Sequence, residues 1–185
     1  VAIIDALNAT VMNELNGEET VTFQVPHRHR HAGLITPEAP VEVAGKRYRV
    51  RRVKTIRIGS VPVIEAYCEA LFYDLAYARQ IEAREFLQES AGNAMEVALA
   101  GTGWRIAAVN VSTRRTYQLE ACTPLELLRT VQQQHGGDLL FDTKQKQVSL
   151  VSVSGRDSGV MFAYGKGLTE SQRVVDTTSL VTRIY

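Results

Sequence analysis

Apolar and polar residues alternate with a period of two through most of the first 75 residues, and no other feature constrains the fold as strongly. The alternation is clearest at residues 21–25 and 61–72 and is typical of half-buried β-strands. Asn16-Gly17 indicates a tight hairpin turn, because a type I′ turn needs a positive φ at both central residues. The sequence therefore predicts an all-β region of at least four antiparallel strands over residues 1–75.

The alternation slips once within this region. Tyr48 and Val50 share one parity, and the next apolar residue, Val53, has the other. One extra residue in a strand of an antiparallel pair shifts the parity of every residue after it. We therefore expect a β-bulge near Arg51 and Arg52.

The pattern changes after Asp74. Residues 78–100 are rich in Ala, Glu, Gln, Leu and Met, which are good helix formers, with an interruption around residues 90–92. Asn93 and Glu96 have the spacing of a capping box, which predicts the start of a second short helix there. This segment is therefore predicted to be mostly helical.

The clearest helix begins after Thr123. Thr123 and Glu126 form a capping-box pattern, and Pro124 suits the first helical position. Gly136-Gly137 then ends the helix. Short strands are predicted around it and after it, at residues 104–111, 116–120, 139–141, 148–153, 173–175 and 180–185.

Strands, then a helix-containing middle, then strands again predict an α+β fold in which the middle is inserted into a β domain. We expect residues 1–75 and 166–185 to form one discontinuous β-rich domain. Residues 76–165 are expected to form a smaller inserted α/β domain, with loops at residues 155–159 and 165–167.

Positive charge is concentrated in one segment, although the net charge is only +1. Nine Lys or Arg residues lie between Arg28 and Arg57, against Glu38 and Glu42. A basic stretch suits a nucleic-acid backbone, but Tyr48 is its one interleaved aromatic residue. Charged residues also protect solvent-facing strand edges, so both interpretations stay open.

Three histidines, His27, His29 and His31, alternate with Arg28 and Arg30. On a strand the three imidazoles would face the same way and offer a metal site. The interleaved arginines oppose a cation, and no carboxylate or cysteine completes a ligand set. We therefore expect a solvated loop here, and no metal or other cofactor.

No remaining motif predicts a catalytic site. Gly165-Lys166-Gly167 lacks the spacing of a phosphate-binding loop and the Ser or Thr after its lysine. Cys68 and Cys122 are unclustered and are expected to be small buried residues. His135 is placed at a helix C-terminus, where a cation is favourable. Since no nucleophile, base and orienting group can be assembled, we name no site residues and expect no hydrolase activity.

The chain has no apolar run of about eighteen residues and no signal-peptide pattern, so we expect no membrane-spanning segment. It begins at Val1 and ends within a strand-like run, Leu180–Tyr185. We therefore expect it to be part of a longer protein.

Several phrases, in order along nearly the whole chain, resemble the N-terminal region of phage minor structural proteins of the prophage tail endopeptidase or tail-associated lysin group. These phrases are ALNATVMNELNGEETVTFQVP (6–26), VAGKRYRVRRVKTIR (43–57), VIEAYCEALFYDLAY (63–77), LAGTGWRI (99–106), CTPLELLRTVQQQHGGDLLF (122–141) and RVVDTTSLVTRIY (173–185). The chain departs from the group at residues 68–70, where Cys-Glu-Ala stands in place of the histidine that often precedes the Tyr-Asp-Leu phrase.

The resemblance implies a fold similar to the baseplate hub of contractile tails, with two small β-barrel-like domains, the second entered by insertion. It also implies a homotrimer that closes the tail tube, other tail proteins as partners and DNA passing through the lumen. The expected location is the virion tail, after assembly in the bacterial host cytoplasm. Longer members carry peptidase or sugar-binding modules farther along the chain, and no catalytic residue of those modules maps onto these positions.

Three functions from different classes remain. A structural role in the tail tip or baseplate hub, in tail assembly and host attachment, is our first hypothesis. A tail-associated endopeptidase or peptidoglycan hydrolase is the second, and a carbohydrate-binding adhesin is the third. Seven Tyr and one Trp permit the third without indicating it.

Overall fold

The computed structural model describes residues 4–152 and, for the backbone, residues 163–164 and 167–168. Residues 1–154 form one compact unit and residues 155–185 a second. In the part of the first unit that is described, strands outnumber helices and most strand pairs are antiparallel. The predicted α+β class is confirmed.

The first half of this unit is a five-stranded antiparallel sheet. Its strands are β1 Asn8–Asn13, β2 Glu19–Pro26, β3 Pro40–Val43, β4 Lys46–Ile58 and β5 Val61–Ala70. They lie in the order β1-β2-β5-β4-β3. Over residues 4–152 the sheet is open, with β1 and β3 at its edges, so the barrel-like shape expected for this region is not a closed barrel. A 3-10 helix, Ala32–Leu34, precedes β3, and a second, Leu71–Ala76, follows β5.

The hairpin predicted at Asn16-Gly17 is present between β1 and β2, but its turn differs from the prediction. The backbone N–H of Glu14 donates to the carbonyl of Glu18 at 2.8 Å, which leaves a loop of three residues. Asn16 has a φ of 58°, whereas Gly17 does not take a positive φ. A type I′ turn is therefore wrong, because the longer loop needs only one left-handed residue.

The predicted β-bulge is confirmed. Val50 pairs with Cys68 and Arg52 with Tyr67, so Arg51 is the extra residue. After the bulge Val53 pairs with Ala66, which is fully buried. The extra residue thus returns the apolar side chains of β4 to the core face of the sheet.

The second half of the unit combines a mixed three-stranded sheet, a two-stranded ribbon and two α-helices. The elements are β6 Arg84–Ser90, α1 Ala91–Leu99, β7 Arg105–Val109, β8 Arg114–Leu119, α2 Pro124–His135, β9 Asp138–Asp142 and β10 Gln147–Val151. In the mixed sheet, of order β7-β10-β9, β10 is parallel to β7 and antiparallel to β9. The ribbon pairs β6 with β8.

Helix α2 begins and ends as its sequence predicts. The Thr123 hydroxyl accepts from the backbone N–H of Glu126 at 3.3 Å, and the Glu126 carboxylate accepts from the backbone N–H of Thr123 at 2.7 Å. The helix ends at His135, just before two glycines with positive φ. At Gly137 a Cβ atom would lie 2.5 Å from the Val151 carbonyl oxygen, so this position requires glycine.

The helix predicted at residues 78–89 is wrong, because β6 occupies much of this segment. Phe86 of β6 is buried and its ring lies 5.0 Å from that of Tyr117 on β8. Ser90, not Asn93, caps α1, and its hydroxyl accepts from the backbone N–H of Asn93 at 3.2 Å. Strand pairing and burial outweigh helix propensity here, since propensity contributes only tenths of a kcal/mol per residue.

A single cluster of buried residues joins the five-stranded sheet to the helices. Val25 and Val50 from the sheet and Met95, Leu128 and Val131 from the helices are fully buried members of it. The two halves of the first unit therefore share one hydrophobic core.

In the second unit, β11 (Ala163–Tyr164) pairs in parallel with β12 (Gly167–Leu168). The strands predicted at residues 173–175 and 180–185 and the loop at 155–159 lie outside the described residues, as does most of the loop at 165–167. The return of residues 166–185 to the first sheet, and with it the discontinuous domain, stays a prediction.

Candidate functional site

The histidine stretch forms a turn directly after β2. Within it the Nδ1 atom of His29 accepts from the backbone N–H of His31 at 3.2 Å, and the two rings lie 5.7 Å apart. His27 is exposed. Over the described residues, no group of three or more His, Cys, Asp or Glu side chains is arranged to hold a metal ion.

His135, at the end of α2, is buried. Its Nδ1 atom lies 3.0 Å from the Thr113 hydroxyl and 3.2 Å from the Thr113 carbonyl, while its Nε2 atom is buried without a hydrogen-bond partner. Burial, together with the charge of Arg115, lowers the pKa of His135. The cation expected at this helix end is therefore disfavoured, because desolvation outweighs the helix dipole.

Both cysteines are free thiols. Cys68 is buried as predicted, and burial raises its pKa to about 12. Cys122 is only half-buried, and burial with the nearby Glu126 raises its pKa as well. A raised pKa removes the thiolate that a nucleophile needs.

Internal ion pairs neutralise part of the basic segment. Asp74 accepts from Arg49 at 3.0 and 2.7 Å and from Arg51 at 2.7 Å. Arg51 also donates to Glu69 at 3.1 Å and to Glu38 at 2.8 Å. These arginines stabilise the fold, and the aspartate of the Tyr-Asp-Leu phrase is their shared partner and not merely a turn residue.

At the start of β4, Lys46 forms a second internal pair. Its Nζ atom lies 2.8 Å from Oε1 of Glu19, a buried carboxylate that also accepts from the Tyr48 hydroxyl at 3.2 Å. Burial and the charge of Glu19 raise the pKa of Tyr48 to about 12. The Glu19 carboxylate thus joins the start of β2 to two side chains of β4.

Four exposed cations of β4 form no salt bridge over the described residues. Arg47 lies before the bulge, and Arg52, Lys54 and Arg57 lie beyond it. The guanidinium of Arg52 lies 5.3 Å from the centre of the Tyr67 ring. The distal part of the β4–β5 hairpin thus carries three of these four free cations.

The edge strand β1 is exposed along its whole length. Val11 and Met12 are 49% and 46% exposed, and Leu7 and Leu15 beside the strand are exposed as well. β1 contains no charged residue and no proline. This apolar edge was visible in the sequence as an uncharged segment beside Asn16-Gly17, although its exposure was not.

A groove with two parts surrounds the tip of the β1–β2 hairpin. Its enclosed part is a cavity of about 380 Å³, and its open part has a volume of about 600 Å³. Asn16, Gly17 and Arg129 line both parts. Asn16 also joins the hairpin to β9, because its side chain donates to Asp138 at 2.9 Å and accepts from the backbone N–H of Leu139 at 2.7 Å. The groove walls come from distant segments, so no local sequence signal marked this groove.

Over the described residues, no helix is long and apolar enough to cross a membrane. The phosphate-loop-like segment at residues 165–167 lies largely outside those residues.

Solved structures of other proteins share this fold, among them the three that follow. Prophage tail protein gp18 from Listeria monocytogenes is 12% identical, with a TM-score of 0.60 over 77% of this chain and 42% of its own. A tail protein from Neisseria meningitidis is 9% identical, with a TM-score of 0.55 over 78% of this chain and 44% of its own. The c3393 protein of E. coli, a type VI secretion component described as similar to the T4 tail proteins gp27 and gp5, is 9% identical, with a TM-score of 0.51 over 80% and 46%. This chain spans less than half the length of each.

Comparison with curated protein sequences gives no match. Two family models do match, in their order along the chain. The prophage endopeptidase tail N-terminal domain matches residues 1–70, and the prophage endopeptidase tail domain matches residues 78–150. Because these two prophage endopeptidase tail domains together cover most of the chain, this chain belongs to a prophage tail family.

Proposed function

We propose that this chain is a structural component of a phage or prophage tail tip, in the baseplate hub, where it takes part in tail assembly and host attachment. It works in the virion tail after assembly in the bacterial host cytoplasm, with other tail proteins as partners. Membership of a prophage tail family supports the tail location. The difference in protection between the edge strands β1 and β3 supports the structural role.

The observation that carries the proposal is the edge of β1, which is unprotected over residues 4–152. A strand edge presents unpaired N–H and C=O groups, and proteins normally guard such edges with charges, proline or short strands. β3, at the opposite edge, has these protections: four residues, Pro40 at its start, and Glu42 paired with Lys144 at 2.8 Å. β1 is longer, with six residues, and it contains no proline and no charged residue. This composition fits a surface that an assembled neighbour covers.

The edge strands β1 and β3 differ, so a contact between β1 of one subunit and β3 of the next joins unlike surfaces of identical subunits. Contacts of this heterologous kind close into rings when the rotation between subunits allows it. A tail tube is a closed ring, and the family resemblance gives three as the expected number of subunits. We therefore propose a homotrimer in which β1 contributes to the subunit contact.

Light scattering of the full-length protein at several salt concentrations tests this proposal. The wild type is expected at the mass of a trimer, and Val11→Lys is expected to shift it towards monomer. Leu87→Lys is the matched control, because Leu87 is an exposed apolar residue on another strand, β6. This variant is expected to keep the mass of the trimer. A strict monomer or a two-fold dimer for the wild-type full-length protein would overturn the ring.

Within the ring, Arg52, Lys54 and Arg57 are proposed to face either the lumen through which DNA passes or an acidic neighbour. They are the exposed cations of β4 beyond the bulge, and they form no salt bridges over the described residues. Phosphate attraction at such a surface is strongly salt-dependent. An acidic neighbour would also be attracted by these cations, so a direct measurement of DNA binding is needed to separate the two partners.

The proposed role is not hydrolytic, although the family description contains the word endopeptidase. A zymogram on bacterial cell walls with the purified chain is expected to show no clearing, and clearing that a point substitution in this chain abolishes would favour the enzyme. A glycan-binding screen tests the adhesin alternative in the same way, since specific sugar binding by the purified chain would favour it.

A further inference from the structure

The groove at the tip of the β1–β2 hairpin has an apolar part that suits an aromatic side chain. Phe72, Leu125 and Phe141 line the enclosed cavity, and the rings of Phe72 and Phe141 stack at 4.2 Å. The cavity, at about 380 Å³, is within the size range of small-molecule and side-chain pockets. Apolar walls of this size favour a large, rigid side chain, which is the usual anchor at protein interfaces.

The same cavity offers an acceptor for a hydrogen-bond donor on that side chain. Glu19 lines it and is only 7% exposed. Lys46 and Tyr48 both contact Oε1 of Glu19, and within the described part of the chain no hydrogen bond to Oε2 is found, so Oε2 is the acceptor that we assign to the ligand. A buried acceptor beside apolar walls selects an aromatic ring with an N–H or O–H group, as in tryptophan or tyrosine.

Arg129 supplies the charge preference of the groove. It is exposed on α2, lines both parts of the groove, and has no salt bridge or hydrogen bond within the described residues. A guanidinium of this kind binds a carboxylate through paired N–H donors. Glu14, Glu18 and Glu19 also line the groove, so a run of acidic groups is disfavoured, and a single carboxylate is favoured only where it contacts Arg129.

We propose that this groove docks an extended peptide segment that carries a tryptophan or tyrosine next to a single carboxylate. The aromatic ring enters the cavity beside Phe72 and Phe141, and the carboxylate pairs with Arg129. The identity of the partner as another tail protein rests on the proposed function. The binding chemistry is independent of that function, because the groove lies within one subunit.

Nitrogen-labelled NMR of the present chain, titrated with N-acetyl-tryptophan, tests the site. The probe is expected to shift the amide signals of Asn16, Gly17 and Leu139, with a dissociation constant on the order of 1 mM for so small a ligand. N-acetyl-tryptophanamide, which lacks the carboxylate, is expected to bind about fivefold to tenfold more weakly. N-acetyl-leucine, which lacks the aromatic donor, is expected to bind more weakly than N-acetyl-tryptophan as well.

Arg129→Gln is expected to remove the difference between the acid and amide probes while the protein stays folded, because Arg129 is exposed. Arg79→Gln, a change at an exposed arginine outside the groove, is the matched control and keeps that difference. Signal shifts located elsewhere, equal binding of the two tryptophan probes to the wild type, or an equal effect of both variants would overturn the proposal. Each of these results would leave the light-scattering test of the ring unaffected.

Discussion

Arg49 and Asp74 form a two-point ion pair between β4 and the 3-10 helix that follows β5. Nε of Arg49 lies 3.0 Å from Oδ1 of Asp74, and Nη2 lies 2.7 Å from Oδ2. The hydrogen bonds to Asp74 raise the pKa of Arg49. One carboxylate thus fastens the strand to the segment that leads into the second half of the unit.

Asp74→Asn is expected to lower the free energy of unfolding by about 1 to 2 kcal/mol, because two partly buried arginines lose their shared counter-charge. Urea denaturation measures the change. Glu42→Gln is the control, since Glu42 pairs with Lys144 at the exposed surface and its loss should be much less costly. Equal stability losses for the two variants would contradict the structural role of Asp74.

Asn16 is expected to stabilise the contact between the β1–β2 hairpin and β9. Asn16→Gly keeps the positive φ but removes both side-chain bonds, and it should cost about 1 to 2 kcal/mol. Asn16→Ala removes the same bonds but, unlike Asn16→Gly, keeps a Cβ atom on a residue in the left-handed region. It should therefore cost about 1 kcal/mol more than Asn16→Gly. Chemical denaturation of both variants checks the order, and wild-type stability in Asn16→Gly would show that the bonds contribute nothing.

The stability of the chain is expected to fall as the pH drops below about 6.5, the ordinary pKa of histidine, because of His135. Its pKa is lower in the folded state than in the unfolded state, so the unfolded chain binds more protons below the ordinary pKa. The stabilisation is complete above that ordinary value and is lost as the pH falls through the folded pKa.

His135→Asn tests this dependence, because an amide can still donate to the Thr113 carbonyl but does not titrate in this range. Urea denaturation at several pH values is expected to give a smaller loss of stability in the variant than in the wild type. The three histidines after β2 are common to both proteins and cancel in the comparison. Parallel curves would rule His135 out as the cause.

DNA binding at the distal part of β4 is expected to be weak and salt-dependent. Replacing Arg52, Lys54 and Arg57 with glutamine should reduce the slope of log affinity against log salt by about one for each phosphate that these cations neutralise in the wild type. Fluorescence anisotropy with a labelled DNA duplex measures the slope, and Arg79→Gln is the control at a distant exposed site. An unchanged slope in the triple variant would leave an acidic protein neighbour as the partner of this surface.

Local signals in the sequence were sufficient for many elements of the first unit. The capping box of Thr123 and Glu126, the proline between them and the glycines after His135 define α2, because each acts on the backbone within a few residues. The parity slip between Val50 and Val53 located the bulge for the same reason. The family resemblance, carried by phrases along the chain, agrees with the matched family domains.

Other features depend on partners that lie far away in the sequence. The helix formers at residues 84–89 became a strand because β8 pairs with them and Phe86 is buried. The basic segment could not be divided into paired and free charges until the fold brought Asp74 next to Arg49 and Arg51.

The groove at the hairpin tip likewise exists only in the folded chain. Asn16 and Leu139 meet across 123 positions of sequence, and Arg129 reaches the same place from a helix. The sequence by itself determined helix α2, the bulge in β4 and the family, because each of these depends on signals along the chain. Tertiary structure alone decided which charges stay free and which surfaces stay open, because both depend on contacts that no short-range pattern encodes.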